Sequence, residues 1–111
     1  MKEQILIFGL GHIGGSIAKS LCKQGIRVYA EDLSKKTIRY AIKNKIIKGT
    51  LSDLDLSKPY SIIFSTPPTV TNELINENKD LIKNAVLFTE TSSSKNKIKK
   101  NAFINKIENA I

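Results

Sequence analysis

Ile5-Leu6-Ile7-Phe8-Gly9-Leu10-Gly11-His12-Ile13-Gly14-Gly15-Ser16 is the stretch from which the rest of the chain can be read. Four apolar residues in a row, ended by glycine, fit a short strand buried on both faces. From Ile13 the apolar positions fall at Ile13, Ile17, Ala18 and Leu21, which is helical spacing. Between strand and helix stands G-x-G-x-x-G, the context in which that glycine pattern has a mechanism. Gly9 permits a tight turn, Gly11 leaves room for an anion to approach the backbone, and Gly14 lets the helix pack close to the sheet. The free N–H groups at the helix start, about His12 and Ile13, would face a pyrophosphate along the favourable end of the helix dipole.

Working outward, Gly25 closes the first helix, and Val28-Tyr29-Ala30 forms a second strand ending at Glu31-Asp32. Asp32 lies 23 residues after Gly9, close to the offset expected of an acid that binds the adenosine ribose hydroxyls. A carboxylate there disfavours a 2′-phosphate, so NAD is expected over NADP. Glu31 competes for the role, and Lys35 and Lys36 leave some room for NADP. Ser34 can cap a helix carrying Thr37, Ile38, Ala41 and Ile42. Thr50-Leu51 reads as a short third strand. Ser61 to Ser65 is a further buried strand, stopped by Pro67-Pro68. A helix over Val70 to Lys83 turns Leu74, Ile75, Leu81 and Ile82 inward, and Ala85 to Phe88 is another buried strand. A polar loop from Thr89 to Ser94 leads to a last helix with Ile98, Ala102, Ile104, Ile107 and Ile111. Strands alternating with helices imply right-handed crossovers and a parallel sheet. The fold class expected is α/β, a doubly wound parallel sheet of the Rossmann type, incomplete at its C-terminal end, with residues 1–111 forming one dinucleotide-binding domain.

Composition narrows the function classes. The 111 residues carry 18 basic against 10 acidic side chains, a formal net charge of +8. Only Arg27 and Arg39 are arginines, and the lysines are spread along the chain. No aromatic stacking surface or groove-reading motif accompanies them, so a nucleic-acid partner is not expected. The run Lys95, Lys97, Lys99 and Lys100 reads as a solvated helix face. No apolar stretch is long enough to span a membrane, and the apolar run near the N-terminus meets glycines where a signal peptide would have a cleavage site. A cytoplasmic protein is expected. One cysteine, Cys22, and one histidine, His12, make no metal site. His12 occupies a variable position of the glycine loop, where the backbone does the binding, so it is a cofactor-side residue and a poor candidate for the base.

Three segments together resemble the prephenate and arogenate dehydrogenases of tyrosine biosynthesis: Gly9 to Ser16, Ser65-Thr66-Pro67-Pro68, and Thr89-Glu90-Thr91-Ser92-Ser93-Ser94-Lys95. The glycine segment is similar to that family's phosphate loop. The paired-proline segment resembles its strand end beside the nicotinamide ribose, which would make Ser65, Thr66 and Pro67 cofactor contacts. The serine-rich segment resembles an acidic–x–x–Ser–x–Lys loop in which Ser93 corresponds to the active-site serine, with Glu90 in place of the usual aspartate and Ser92 in place of a glycine. A polar loop with Ser94 capping the last helix is the structural alternative, and both can hold together. The family reaction is oxidative decarboxylation of prephenate to 4-hydroxyphenylpyruvate, with hydride passing to NAD while a histidine polarises the ring hydroxyl. The resemblance places that histidine, the substrate-binding arginines and a helical dimerisation domain beyond Ile111. It therefore implies a cofactor-holding part with little turnover alone, a small-molecule substrate in the full-length enzyme, and an oligomer only with the further domain. Another Rossmann dehydrogenase, of the 3-hydroxyacid or 6-phosphogluconate type, and a non-catalytic NAD-binding module remain as alternatives.

Overall fold

We describe residues 3–91 of a computed structural model of the chain. Strand β1 spans Gln4–Phe8 and every residue of it is buried. Helix α1 follows over His12–Lys23 and buries Gly14, Ile17, Ala18 and Leu21, the expected face without Ile13, which is half exposed at the loop end. Burying each of Ile17 and Leu21 contributes about 1.5–3 kcal/mol. The helix stops at Gly25 (φ +81°), with Gly25 N–H donating to the Cys22 carbonyl and Ile26 N–H to that of Leu21. This left-handed stop explains the glycine. Strand β2 is Arg27–Glu31, and α2 spans Lys35–Lys43 behind Ser34, whose hydroxyl accepts the Thr37 N–H at 3.2 Å.

The expected strand at Thr50-Leu51 is not one. Lys48 N–H donates to the Val28 carbonyl and the Gly49 carbonyl accepts from Ala30, so the chain touches the outer edge of β2 only briefly. It then enters a 3-10 turn over Leu51–Asp53. Thr50 and Asp53 cap each other reciprocally, and the Glu31 carboxylate takes the Leu51 N–H at 2.9 Å. Side chains thus satisfy amides that a strand would have paired.

Strand β3 is Ser61–Phe64. The helix expected from Val70 to Lys83 is two helices, α3 over Pro68–Glu77 and α4 over Lys79–Lys83. Asn78 separates them with φ −124° and ψ 36°, its side-chain amide donating to the Leu74 carbonyl. Leu74, Ile75, Leu81 and Ile82 still pack together on the core. Strand β4 is Leu87–Glu90, two residues later than expected and less buried, with Phe88 44% exposed. Val86 N–H donates to the Tyr60 carbonyl and sets the register in which Leu87 pairs with Ser61.

The four strands are all parallel in the order β2-β1-β3-β4. Ile5, Ile7, Val28, Ala30 and Ile63 face one side with α1 and α2. Leu6, Phe8, Tyr29, Ile62 and Phe64 face the other, with α3 and α4. Phe8 stacks on Phe64 at 5.1 Å there. The sheet is doubly wound, as expected. Because β2 and β3 lie on opposite sides of β1, the direction of winding reverses between β1 and β3, where open α/β sheets bind ligands at the strands' carboxyl ends.

Candidate functional site

Gly9 leaves β1 at that reversal point with φ +98°, and its N–H donates to the Glu31 carbonyl at 2.8 Å. A Cβ on Gly9 would stand 2.5 Å from the Ser65 carbonyl oxygen, and one on Gly14 would stand 2.0 Å from the Gly9 oxygen. The loop, the first turn of α1 and the end of β3 therefore close on each other to a distance only glycines allow. Gly11 is different. It has φ −70°, and a Cβ there would meet no protein atom within 4 Å. Its missing side chain is not demanded by the protein's own packing. That open space at the start of α1 suits a ligand lying on the backbone.

Gly11 is the N-cap and has no side chain to cap with. The helical ladder of α1 opens with Gly15 N–H donating to the Gly11 carbonyl at 2.7 Å. No acidic residue occupies the first turn. The amides of His12 and Ile13 thus precede the ladder at the positive end of the dipole.

Asp32 binds the glycine loop to the start of α2. One carboxylate oxygen accepts the Leu10 N–H and the other the Ser34 N–H, each at 2.8 Å. A carboxylate has about four acceptor positions, so about two stay open. Glu31 is committed to Leu51, which separates the two acids: Asp32 faces the glycine loop and Glu31 the 3-10 turn.

Ser65 donates its N–H to the Phe8 carbonyl, which holds the end of β3 against the end of β1. Thr66 lies next to Gly9, and Pro67 caps α3 ahead of Pro68. Two residues without a role assigned from sequence tie this segment down. Thr71, fully buried, contacts the Thr66 hydroxyl at 2.6 Å and donates to the Thr66 carbonyl at 3.0 Å. Thr91 donates its N–H to the Phe64 carbonyl at 2.9 Å and its hydroxyl to Ser65 Oγ at 3.3 Å. The signal for Thr71 was present: it shares the i, i+3, i+4 face with Leu74 and Ile75, where a polar residue needs a partner.

His12 is exposed. It lines a groove of about 310 Å³ between α1 and α2 with Ser16, Lys19, Thr37 and Tyr40, a groove that does not include Ser65 to Pro67. Cys22 donates its thiol to the Lys45 carbonyl at 3.1 Å, a packing contact. No group of three or more potential metal ligands occurs among the described residues. No helix among them is long and apolar enough to cross a membrane. Ser93, Lys95 and the last helix lie outside the described residues.

Sheet order, glycine loop and reversal point together define an open, doubly wound α/β domain of the Rossmann type. Residues 4–91 match the model of the family described as NADP oxidoreductase coenzyme F420-dependent, and the chain belongs to that family. A prephenate dehydrogenase of Bacillus subtilis (strain 168) is 31% identical over 103 residues, 88% of this chain and 28% of its own length. Among solved structures, prephenate dehydrogenase from A. aeolicus, in complex with hydroxyphenyl propionate and NAD+, has a TM-score of 0.64 at 24% identity, over 99% of this chain and 38% of that one. Synechocystis arogenate dehydrogenase has a TM-score of 0.67 at 20% identity, over 96% and 37%. The chain thus spans well under half the length of these relatives.

Proposed function

We propose that residues 1–111 form a dinucleotide-binding domain that holds NAD, and that it supplies the cofactor side of an oxidoreductase acting on a small molecule of the prephenate or arogenate kind. The observation that carries the reading is the contrast within the glycine loop. Gly9 and Gly14 are glycines because the protein crowds them, whereas Gly11 is a glycine beside open space. A pyrophosphate laid over Gly11 would meet the first amides of α1. Asp32 would accept the adenosine ribose hydroxyls, and Ser65, Thr66 and Pro67 would border the cofactor on the β3 side. The family description names NADP. The Asp32 carboxylate beside Leu10 argues for the unphosphorylated ribose here, because a 2′-phosphate would meet its charge.

When bound, the nicotinamide supplies the hydride acceptor, and the protein's part is to bind and orient. Ser93 would hydrogen-bond near the substrate hydroxyl, an assignment that rests on the resemblance alone. His12, on the helix side of the loop, holds no position from which to serve as base. The reading leaves the base and the substrate-binding cations to sequence outside these residues.

Calorimetric titration with NAD+ and NADP+ tests it. NAD+ should bind the tighter of the two. Equal or reversed affinity would remove Asp32 from the ribose role, and no binding of either would end the dinucleotide reading.

A further inference from the structure

We propose that the groove between α1 and α2 is a second ligand site, which takes a small carboxylate with an apolar body and is separate from the dinucleotide cleft. Gly15 is the residue that points there. It stands inside α1, where glycine is disfavoured relative to alanine. Its φ is not positive, and a Cβ on it would meet only the Leu10 carbonyl oxygen, at 3.5 Å, an ordinary contact. Neither the backbone nor the packing asks for glycine. The missing side chain instead widens the space that Gly15 lines, and that space is the groove.

The lining sets the class of occupant. Leu10, Ala41 and Ile46 offer apolar surface, and Tyr40, 60% exposed, adds its ring from α2. From α1, Ser16 and Lys19 add a hydroxyl and an ammonium group. The Thr37 hydroxyl is already engaged with Ser34 at 2.9 Å. Neither helix carries an acidic residue, and Lys19 makes no ion pair among the described residues. One lysine amid apolar surface matches a single negative charge on an apolar body. A doubly charged phosphate would bring charge without apolar surface to bury. At about 310 Å³ the groove stands at the lower end of the roughly 300–1,000 Å³ typical of ligand pockets, too small for a dinucleotide. Asp32 and Ser65 to Pro67 do not line it, whereas Gly11 and His12 do, so the two sites meet at the glycine loop.

The test is a titration of the 111-residue chain followed by its backbone amide resonances. Hexanoate is the probe, hexanol is the same body without charge, and acetate and inorganic phosphate are charge without the body. Hexanoate should move the amides of residues 15–19 and 37–41 saturably. The other three should bind at least about tenfold more weakly, the worth of a hydrogen bond to a charged group or of a few buried methylenes. No saturable shift with hexanoate overturns the proposal, as does any of the three binding equally well, or shifts confined to residues 9–13. Lys19→Gln, at an exposed position, should weaken hexanoate about tenfold and leave NAD+ affinity within roughly twofold. Unchanged hexanoate binding, or equal loss of both ligands, overturns the proposal. Gly15→Ala should raise the urea midpoint, because alanine suits the helix, and weaken hexanoate severalfold. A stabilised variant that binds hexanoate normally refutes the role of Gly15, and so does a destabilised one, which would show that packing requires the glycine. If the unmodified chain binds no NAD+, the dinucleotide reading fails, and the hexanoate titrations alone decide for the groove.

Discussion

Gly11 and Gly14 are three residues apart in one motif and answer to different constraints. A methyl group on Gly14 would collide with the Gly9 carbonyl, which is backbone and cannot swing aside. Gly14→Ala should cost about 2–3 kcal/mol or more, read as a lower urea midpoint. Gly11→Ala should leave stability within about 0.5 kcal/mol, since its φ of −70° suits any L-residue and its Cβ meets nothing. Its effect should appear in NAD+ affinity alone. A destabilised Gly11→Ala, or one that binds normally, would contradict the reading of the open space. The sequence allowed this pairing of roles to be anticipated, because the motif's mechanism assigns each glycine a task. It did not reveal the tie between Asp32 and Leu10, since only the fold brings the two together.

The elements were legible where periodicity is strong and both faces are covered. Strand β1 and helix α1 follow their apolar pattern closely, apart from Ile13 at the mouth of the site. Misreadings gathered where a side chain outcompetes the ladder. Thr50 and Asp53 capped a turn in place of a strand, Asn78 divided a helix, and β4 was set by the Val86–Tyr60 bond more than by its own apolarity. Helix α2 ends like α1, with Lys45 N–H donating to the Ile42 carbonyl and Ile46 N–H to that of Ala41, but Lys45 sits at φ 59° where α1 has glycine. Lys45→Gly should therefore stabilise the protein by about 0.5–1 kcal/mol in urea unfolding, the relief of a left-handed side chain less the added freedom of the unfolded chain. At the other pole of the sheet, Tyr60, just ahead of β3, donates its hydroxyl to the Leu81 carbonyl of α4. Burial raises its pKa above the ordinary 10.0. The neutral phenol is the form the fold favours, so its contribution is intact below pH 10 and is lost as pH rises through the raised value. Tyr60→Phe should cost about 1–2 kcal/mol at neutral pH, and the gap to the unmodified chain should narrow in alkaline solution. A gap that stays constant to high pH would show that Tyr60 does not titrate with unfolding.

For the whole molecule, binding and turnover should separate. The single histidine lines the groove between the helices, which Ser65 to Pro67 do not line, and the acids nearest the loop are engaged with backbone amides. The 111-residue chain should bind NAD+ and show no measurable NADH formation with prephenate or arogenate. Loss of general-base help alone costs about a hundred- to ten-thousand-fold. Turnover at an ordinary enzyme rate that survives His12→Ala would point to a base within these residues, with Glu90 the first to test. The sheet also carries a sense of direction. On its β2 flank, Lys48 and Gly49 occupy the outward Val28 carbonyl and Ala30 amide, so the chain's own return covers the middle of that edge. Unpaired strand edges recruit further strands. A strand added on the β2 flank would have to displace that return, and with it the 3-10 turn that Glu31 holds next to Asp32.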